Sequence, residues 1–472
     1  MKTNTKWFFV ALSWMFAVHV AAQTPHGGIS SEMLKNIRQV YNQQACKSRK
    51  AMFNALASNS IDNLAKNFAN QGELDTHFSI ETPSQSIMDQ KSSGRCWMFS
   101  GMNVLRSNFA KAHGDSVKVE FSQDYLFFYD QLEKANLMLQ GVIDCAKKPF
   151  NDPQVQFFFK SPISDGGTFC GVADLAPKYG LVPKGVVPET YSAENTSRMA
   201  SIIKSKLREY GLELRKMAAD GKKAKALLAR KTEMLSTIYN ILSMTLGEPI
   251  QTFTYAFRDK DGKQIGEPKT YTPLEFYRET VGEPLGGTFI MVMNDPRHPY
   301  HKTYEVELDR HTYDGTNWKY LNLPMDEIEQ LAIASLKDGR KMYSSYDVGK
   351  QFDRTRGYLD TENFDYGSLF GTVFPMNKAE RIMTFDSGST HAMTLTAVDL
   401  DKEGNALKWK VENSWGPSNG QKGCLIMTDR WFREYMFRLV VNKEYVPEQI
   451  LKEFNQKPVM LTSDDPLFAE DE

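Results

Sequence analysis

Met88-Asp89-Gln90-Lys91-Ser92-Ser93-Gly94-Arg95-Cys96-Trp97-Met98-Phe99-Ser100-Gly101-Met102-Asn103-Val104-Leu105-Arg106 is the stretch on which the reading of this chain turns. Its first half is loop, broken by Ser92, Ser93 and Gly94. Its second half carries apolar residues at helical spacing: Trp97, Met98, Met102 and Leu105. That places Cys96 at or near the first turn of a helix. Backbone N–H groups there lack intrahelical acceptors, and the helix dipole presents its positive end. Both favour thiolate over thiol, and the thiolate is the nucleophile. Gln90, on the loop upstream, can turn its side-chain NH2 towards the same spot and join the Cys96 N–H in binding a developing oxyanion. A lone cysteine in such a place is equally well a small buried hydrophobe, so the rest of the chain has to decide.

A cysteine nucleophile needs a base, and the base needs an orienting group. Among eight histidines, His391 stands in Ser387-Gly388-Ser389-Thr390-His391-Ala392-Met393-Thr394, entering a predicted strand. Asn413 follows 22 residues later in Val411-Glu412-Asn413-Ser414-Trp415-Gly416. Two neighbouring strands can set these side by side, the Asn413 amide oxygen accepting the imidazole N–H. Trp415 would cover that bond from water and strengthen it. Further in, Asp165-Gly166-Gly167 is a breaker cluster before a helical stretch from Val172 to Tyr179. A glycine pair near a reactive thiol lets a substrate backbone approach and pair with it, though an ordinary turn reads the same way.

Beyond these residues, several longer segments carry a family likeness. They include Phe121-Ser122-Gln123-Asp124-Tyr125-Leu126, Lys178-Tyr179-Gly180-Leu181-Val182-Pro183-Lys184, and Thr272-Pro273-Leu274-Glu275-Phe276-Tyr277-Arg278. Asn294-Asp295-Pro296-Arg297-His298-Pro299-Tyr300, Tyr346-Asp347-Val348-Gly349-Lys350 and the block from Thr390 through Trp415 to Phe432 extend it. With them, nearly the whole chain after residue 22 resembles the papain-type cysteine peptidases of the bleomycin hydrolase/aminopeptidase C branch. Where the papain signature has its first cysteine, this chain has Ser93. His391 lies 295 residues after Cys96, against roughly 130–150 in papain itself, and inserted segments account for the surplus.

The resemblance implies an α+β, two-lobed papain-like fold with an inserted helical subdomain. It implies Cys96 as nucleophile, His391 as general base and then acid, Asn413 as orienter and Gln90 as oxyanion donor, with no metal and no cofactor. It places Gly166, Gly167, Trp415 and Glu472 around the substrate. It further implies a homo-oligomer, a hexameric ring with its sites facing inward, and a C-terminal arm that runs into the cleft. There the terminal carboxylate would meet the free amino group of a peptide and restrict the enzyme to aminopeptidase work. The tail here, through Asp464-Asp465-Pro466 to Glu472, is more acidic than the usual ending of that branch.

Pattern divides the chain accordingly. Residues 1–22 read as a signal peptide: Lys2 and Lys6 precede an apolar run from Trp7 to Ala22, with small residues at the cleavage positions. Residues 23–192 form an N-terminal segment, helical over 28 to 70, and then the helical lobe. Residues 193–285 are a mainly helical insertion, 286–455 the β-rich lobe and 456–472 the arm. Strands are expected at Phe289–Met293, Thr303–Glu307, Lys341–Tyr346, Met393–Asp399 and Lys408–Glu412, and Ser122 as the N-cap of an aromatic-rich helix. Between Ile202 and Lys231 ten basic residues face three acidic ones, which reads as a solvated helix face before it reads as a polyanion site.

The 472 residues suffice for a large core, and 41% hydrophobic with 24% charged is globular composition. Removal of the leader near Ala22 leaves 55 basic against 58 acidic residues. That balance calls neither for nucleic acid nor for a membrane surface, and export to the periplasm or beyond is expected. The five cysteines match no zinc spacing. With Cys96 free, Cys46, Cys145, Cys170 and Cys424 can pair in three ways or remain reduced. The expected activity is removal of N-terminal residues from peptides. The competing readings are an endopeptidase with a displaced tail and a non-catalytic ring that binds peptides or polyanions.

Overall fold

The computed structural model describes residues 27–43, 48–282 and 284–468. The chain divides into two compact units, Met1–Leu64 and Ala65–Glu472. In the first, the helical reading of residues 28 to 70 resolves into helices Ser31–Gln43 and Arg49–Leu56. Ser60 Oγ then accepts from the Asn63 N–H and starts a further short helix, Ile61–Ala65. The leader and Cys46 lie outside the described residues.

The second unit is built on one twelve-stranded sheet. Its central strand Met436–Asn442 lies antiparallel to both Phe289–Met293 and Met342–Tyr346. Met342–Tyr346 then pairs with His391–Leu400, and that with Ala406–Glu412. The expected strands near 289, 303, 342, 393 and 408 are all present, the second as Lys302–Val306. Strands in the middle of the sheet are buried on both faces, which is why Phe289–Met293 reads as an unbroken apolar run.

Two cores result. On one face Val440, Tyr343 and Ala392 meet the helices of the first lobe, chiefly Cys96–Ala112, Gln123–Asp144 and Phe169–Tyr179. On the other face Leu439, Tyr346 and Met393 meet helix Met325–Lys337 and helix Asp429–Tyr435. Ser122 caps Gln123–Asp144, its hydroxyl accepting the Tyr125 N–H at 3.2 Å.

The insertion is a pair of long helices, Thr196–Ala219 and Ala224–Leu246, laid on Gln123–Asp144. Met199, Ile203, Leu207, Tyr210 and Leu214 form the buried stripe of the first; Leu227, Met234, Ile238, Leu242 and Leu246 form that of the second. A hairpin, Phe253–Asp259 with Gln264–Tyr271, follows and joins Val117–Lys118 in a separate small sheet. The basic stretch is partly tied down within the fold. Arg208 donates to the Phe159 and Lys160 carbonyls, Arg215 to those of Cys145 and Lys148, and Arg230 pairs with Glu213.

Candidate active site

Cys96 is the first residue of its helix, with Arg95 in the N-cap position. Its sulfur accepts the Ala392 N–H at 3.5 Å, so it lies against the residue that follows His391. Two features fix that juxtaposition. The helix packs against strand His391–Leu400, and nearly two turns from its end Arg106 donates to Glu412 at 2.8 Å. Lys341 holds the other Glu412 oxygen at 2.8 Å. Glu412 thus joins the nucleophile's helix to the strand that delivers Asn413.

His391 and Asn413 close a hydrogen bond of 2.8 Å between Nε2 and Oδ1. Oδ1 also accepts the Ser414 N–H, which fixes the amide with its oxygen towards the ring. His391 therefore carries its ring proton on Nε2, leaving Nδ1 to exchange a proton with the nucleophile. Trp415 stacks on the imidazole at 4.7 Å between centroids. The loop before Cys96 is strapped to the same segment: Gln90 N–H donates to the Ser414 carbonyl and Gly416 N–H to that of Met88.

Gln90 is buried, and its amide is committed on both sides. Its oxygen accepts from Ser414 Oγ at 2.5 Å, and its Nε2 donates to the Ser93 carbonyl at 2.5 Å. One of the two Nε2 hydrogens is thus used within the loop and the other remains for a ligand. The Cys96 N–H lies in the first helical turn, where the helix supplies no acceptor.

The N–H groups expected to favour the thiolate are in place, but burial opposes them. Burial is the largest effect and pushes Cys96 up to about 11, while the N–H groups of Ala392, Trp97 and Cys96 pull the other way. Burial likewise takes His391 down to about 4, against the Asn413 hydrogen bond that favours the imidazolium. Burial thus disfavours each charge taken alone. Moving one proton from Sγ to the ring would create both charges together, with no change in net charge.

Gly166 and Gly167 sit on the wall formed by residues 164–168. Asp165, which sequence reading treats as part of a breaker cluster, ties this wall to the nucleophile's loop. Its carboxylate accepts the Gly94 N–H at 2.7 Å, and its carbonyl accepts Trp97 Nε1–H at 2.9 Å. Its charge also raises the thiol pKa. Glu472 lies outside the described residues, which end at Phe468. Cys145, Cys170 and Cys424 are free thiols, Cys170 packing its sulfur 3.7 Å from that of Met291. Among the described residues no group of His, Cys, Asp and Glu could hold a metal ion. Asp130, Lys134 and His311, which pack beneath Trp97, are the site residues that sequence reasoning missed. No motif marks them.

A two-lobed α+β fold with a cysteine at a helix start, facing a histidine and an asparagine on the sheet, is that of a papain-like cysteine peptidase. The model of the Peptidase C1-like family matches residues 28–468, and the chain belongs to that family. It is 40% identical to human bleomycin hydrolase over 83% of this chain and 87% of that one. It is 38% identical to aminopeptidase C of Lactobacillus delbrueckii subsp. lactis over 88% of this chain and 93% of the other. The crystal structure of PepW from Lactobacillus rhamnosis HN001 superposes with a TM-score of 0.88 at 36% identity, covering 94% of this chain and 99% of that one.

Proposed function

We propose that this chain is a cysteine aminopeptidase that removes N-terminal residues from peptides, its arm closing one end of the cleft. Cys96 attacks the first peptide carbonyl as its proton passes to His391 Nδ1. The Cys96 N–H and the spare Gln90 N–H receive the oxyanion. His391 then protonates the leaving amine, and water activated by the same ring hydrolyses the thioester.

One observation carries the assignment of an exopeptidase. Ala392, Ser345 and Arg438 form a single row across three neighbouring strands. Ala392 binds the Cys96 sulfur, and Arg438 Nη2 donates to the Leu467 carbonyl at 2.9 Å. Cross-strand neighbours are ~5 Å apart, so the rows' ends are only ~10 Å apart. The arm is led there by the parallel pairing of Val459–Leu461 with Lys302–Val306, by the Arg297–Asp465 ion pair at 2.9 Å, and by burial of Leu467. Residues 469–472 can span up to ~14 Å when extended. Their sequence, Ala469-Glu470-Asp471-Glu472, carries the negative charge that a substrate's α-ammonium group would seek. A ring of six copies would enclose such sites, and residues 1–22 would export the chain; both belong to this proposal on the strength of the family likeness and the leader's composition.

The test is one fluorogenic peptide offered with a free and with an acetylated amino end. Cleavage confined to the free form, lost in Cys96→Ala and extended to the acetylated form by deletion of residues 467–472, is expected. Equal cleavage of both forms by the intact chain would assign an endopeptidase instead.

A further inference from the structure

Beneath the cleft wall lies a buried polar cluster that neither the triad nor the arm uses. Asp130 and Lys134 stand one turn apart on helix Gln123–Asp144, 3.0 Å from each other. His311 Nδ1 meets Asp130 at 2.6 Å, and its Nε2 accepts the Thr168 N–H at 3.2 Å. The ring is therefore neutral, donating to the carboxylate and accepting from the wall. Lys134 Nζ donates to the carbonyls of Ser164 at 2.8 Å and Gly166 at 2.6 Å, and Gln131 donates to Ser164 as well. Trp97, next to the nucleophile, packs on the His311 ring at 4.4 Å and holds the Asp165 carbonyl.

The pattern of what is held and what is left is specific. The carbonyls of Ser164, Asp165 and Gly166 and the N–H of Thr168 are engaged from below, and the Gly166 N–H donates within the wall to Ser164 Oγ. Gly167 alone is different: it is exposed, and among the described residues neither its N–H nor its C=O has a partner. A Cβ on Gly167 would sit 2.1 Å from the His311 ring, and one on Gly171 2.6 Å from it, so the ring is pressed against the wall's inner side.

We infer that Asp130, Lys134 and His311 are positioning residues that hold the 164–168 wall so that Gly167 offers its N–H and C=O to an extended peptide in the cleft. The inference rests on the peptidase reading. Lys134 supplies the charge that turns two carbonyls inward, and Asp130 keeps that charge neutralised while fixing the tautomer of His311. His311 in turn sets the height of Gly167 above the core. An unpaired backbone edge beside a nucleophile binds peptide main chain irrespective of side chains, so the cluster governs affinity more than the chemical step.

His311→Ala, His311→Gln and Gly167→Ala, made singly, and the double variant His311→Ala/Gly167→Ala test this in the full-length protein. For a free-amino pentapeptide, His311→Ala and Gly167→Ala are each expected to raise KM about tenfold, with kcat within about twofold. The alkylation rate of Cys96 by iodoacetamide should be unchanged. His311→Gln, which can still accept the Thr168 N–H, should recover most of the loss. In the double variant the clash is relieved, so Gly167→Ala should cost little more than His311→Ala alone. An unchanged KM in His311→Ala and Gly167→Ala overturns the inference. So does a fall in kcat and alkylation rate with KM unmoved. Either result, with cleavage still lost in Cys96→Ala, leaves the peptidase standing; cleavage that survives Cys96→Ala overturns both.

Discussion

Desolvation acts on the half-buried Cys96 and the buried His391, and the two pKa displacements have opposite signs: up to about 11 for the thiol, down to about 4 for the ring. The competent pair carries one proton between its two members. It is lost at low pH by a second proton on His391 and at high pH by removal of the last one. kcat/KM is therefore expected to stay level from about pH 5 to about pH 9 and to fall below about pH 4. An acid limb with its midpoint near 6.5 would contradict this. Asn413→Ala removes the side-chain hydrogen bond that stabilises the imidazolium. A buried charge-assisted bond is worth ~1.5–3 kcal/mol, so kcat should drop about 10- to 100-fold in steady-state assays. Gln90→Ala should lower kcat by about 10²- to 10³-fold with KM little changed. At this scale the sequence was legible where a motif is local: Cys96 before Trp97, His391 at a strand start, Asn413 two residues before Trp415. The direction of the Gln90 amide was not, because it depends on the carbonyl of Ser93 and the hydroxyl of Ser414. Nor was the thiol's protonation state, since burial is a tertiary property.

The junction between the nucleophile's helix and the strand that ends at Glu412 is electrostatic. Glu412 is almost fully buried between Arg106 and Lys341. Glu412→Gln takes from Arg106 and Lys341 the counter-charge they share and should cost ~3–5 kcal/mol in denaturant unfolding. A loss below ~1 kcal/mol would show that packing alone holds the junction. Gly180 ends helix Phe169–Tyr179 at φ +82°, and a Cβ there would lie 2.2 Å from the Pro273 backbone. Backbone cannot yield as a side chain can. Gly180→Ala should therefore destabilise by well over the ~1 kcal/mol typical of a positive-φ glycine. Strands with apolar runs were readable from pattern, but helix Met325–Lys337 falls in a region read as strands and short loops. Pro324, the acidic first turn of Asp326 and Glu327, and Ile328, Leu331, Ala332 and Leu336 at helical spacing were its signal.

Over the whole molecule, stability carries a pH dependence from a group outside the triad. Asp124 is buried near Glu189 and Arg95, and burial first, then the Glu189 charge, push its pKa up to about 8. Unfolded, it would ionise near ~3.9. Between those values the folded chain binds the extra proton, so stability falls as pH rises from about 4 to about 8. Asp124→Asn removes the dependence. Relative to the parent, its unfolding free energy should gain several kcal/mol between pH 4 and pH 8, read by urea titration at both. A constant difference would place the carboxyl's ionisation elsewhere. The two-lobed layout was legible because helix-period and strand-period segments follow one another along the chain. The arm's docking was not, because Arg297, Arg438 and the Lys302–Val306 strand that receive it lie far away in sequence.

The account stands or falls on Cys96 as the atom that takes the acyl group. An aminoacyl chloromethyl ketone with a free amino end should inactivate the protein with one label per chain. Peptide mass mapping should place that label on Cys96, and Cys96→Ala should take up none. A label on Cys145, Cys170 or Cys424 that abolishes activity, or full activity after stoichiometric labelling of Cys96, would contradict it.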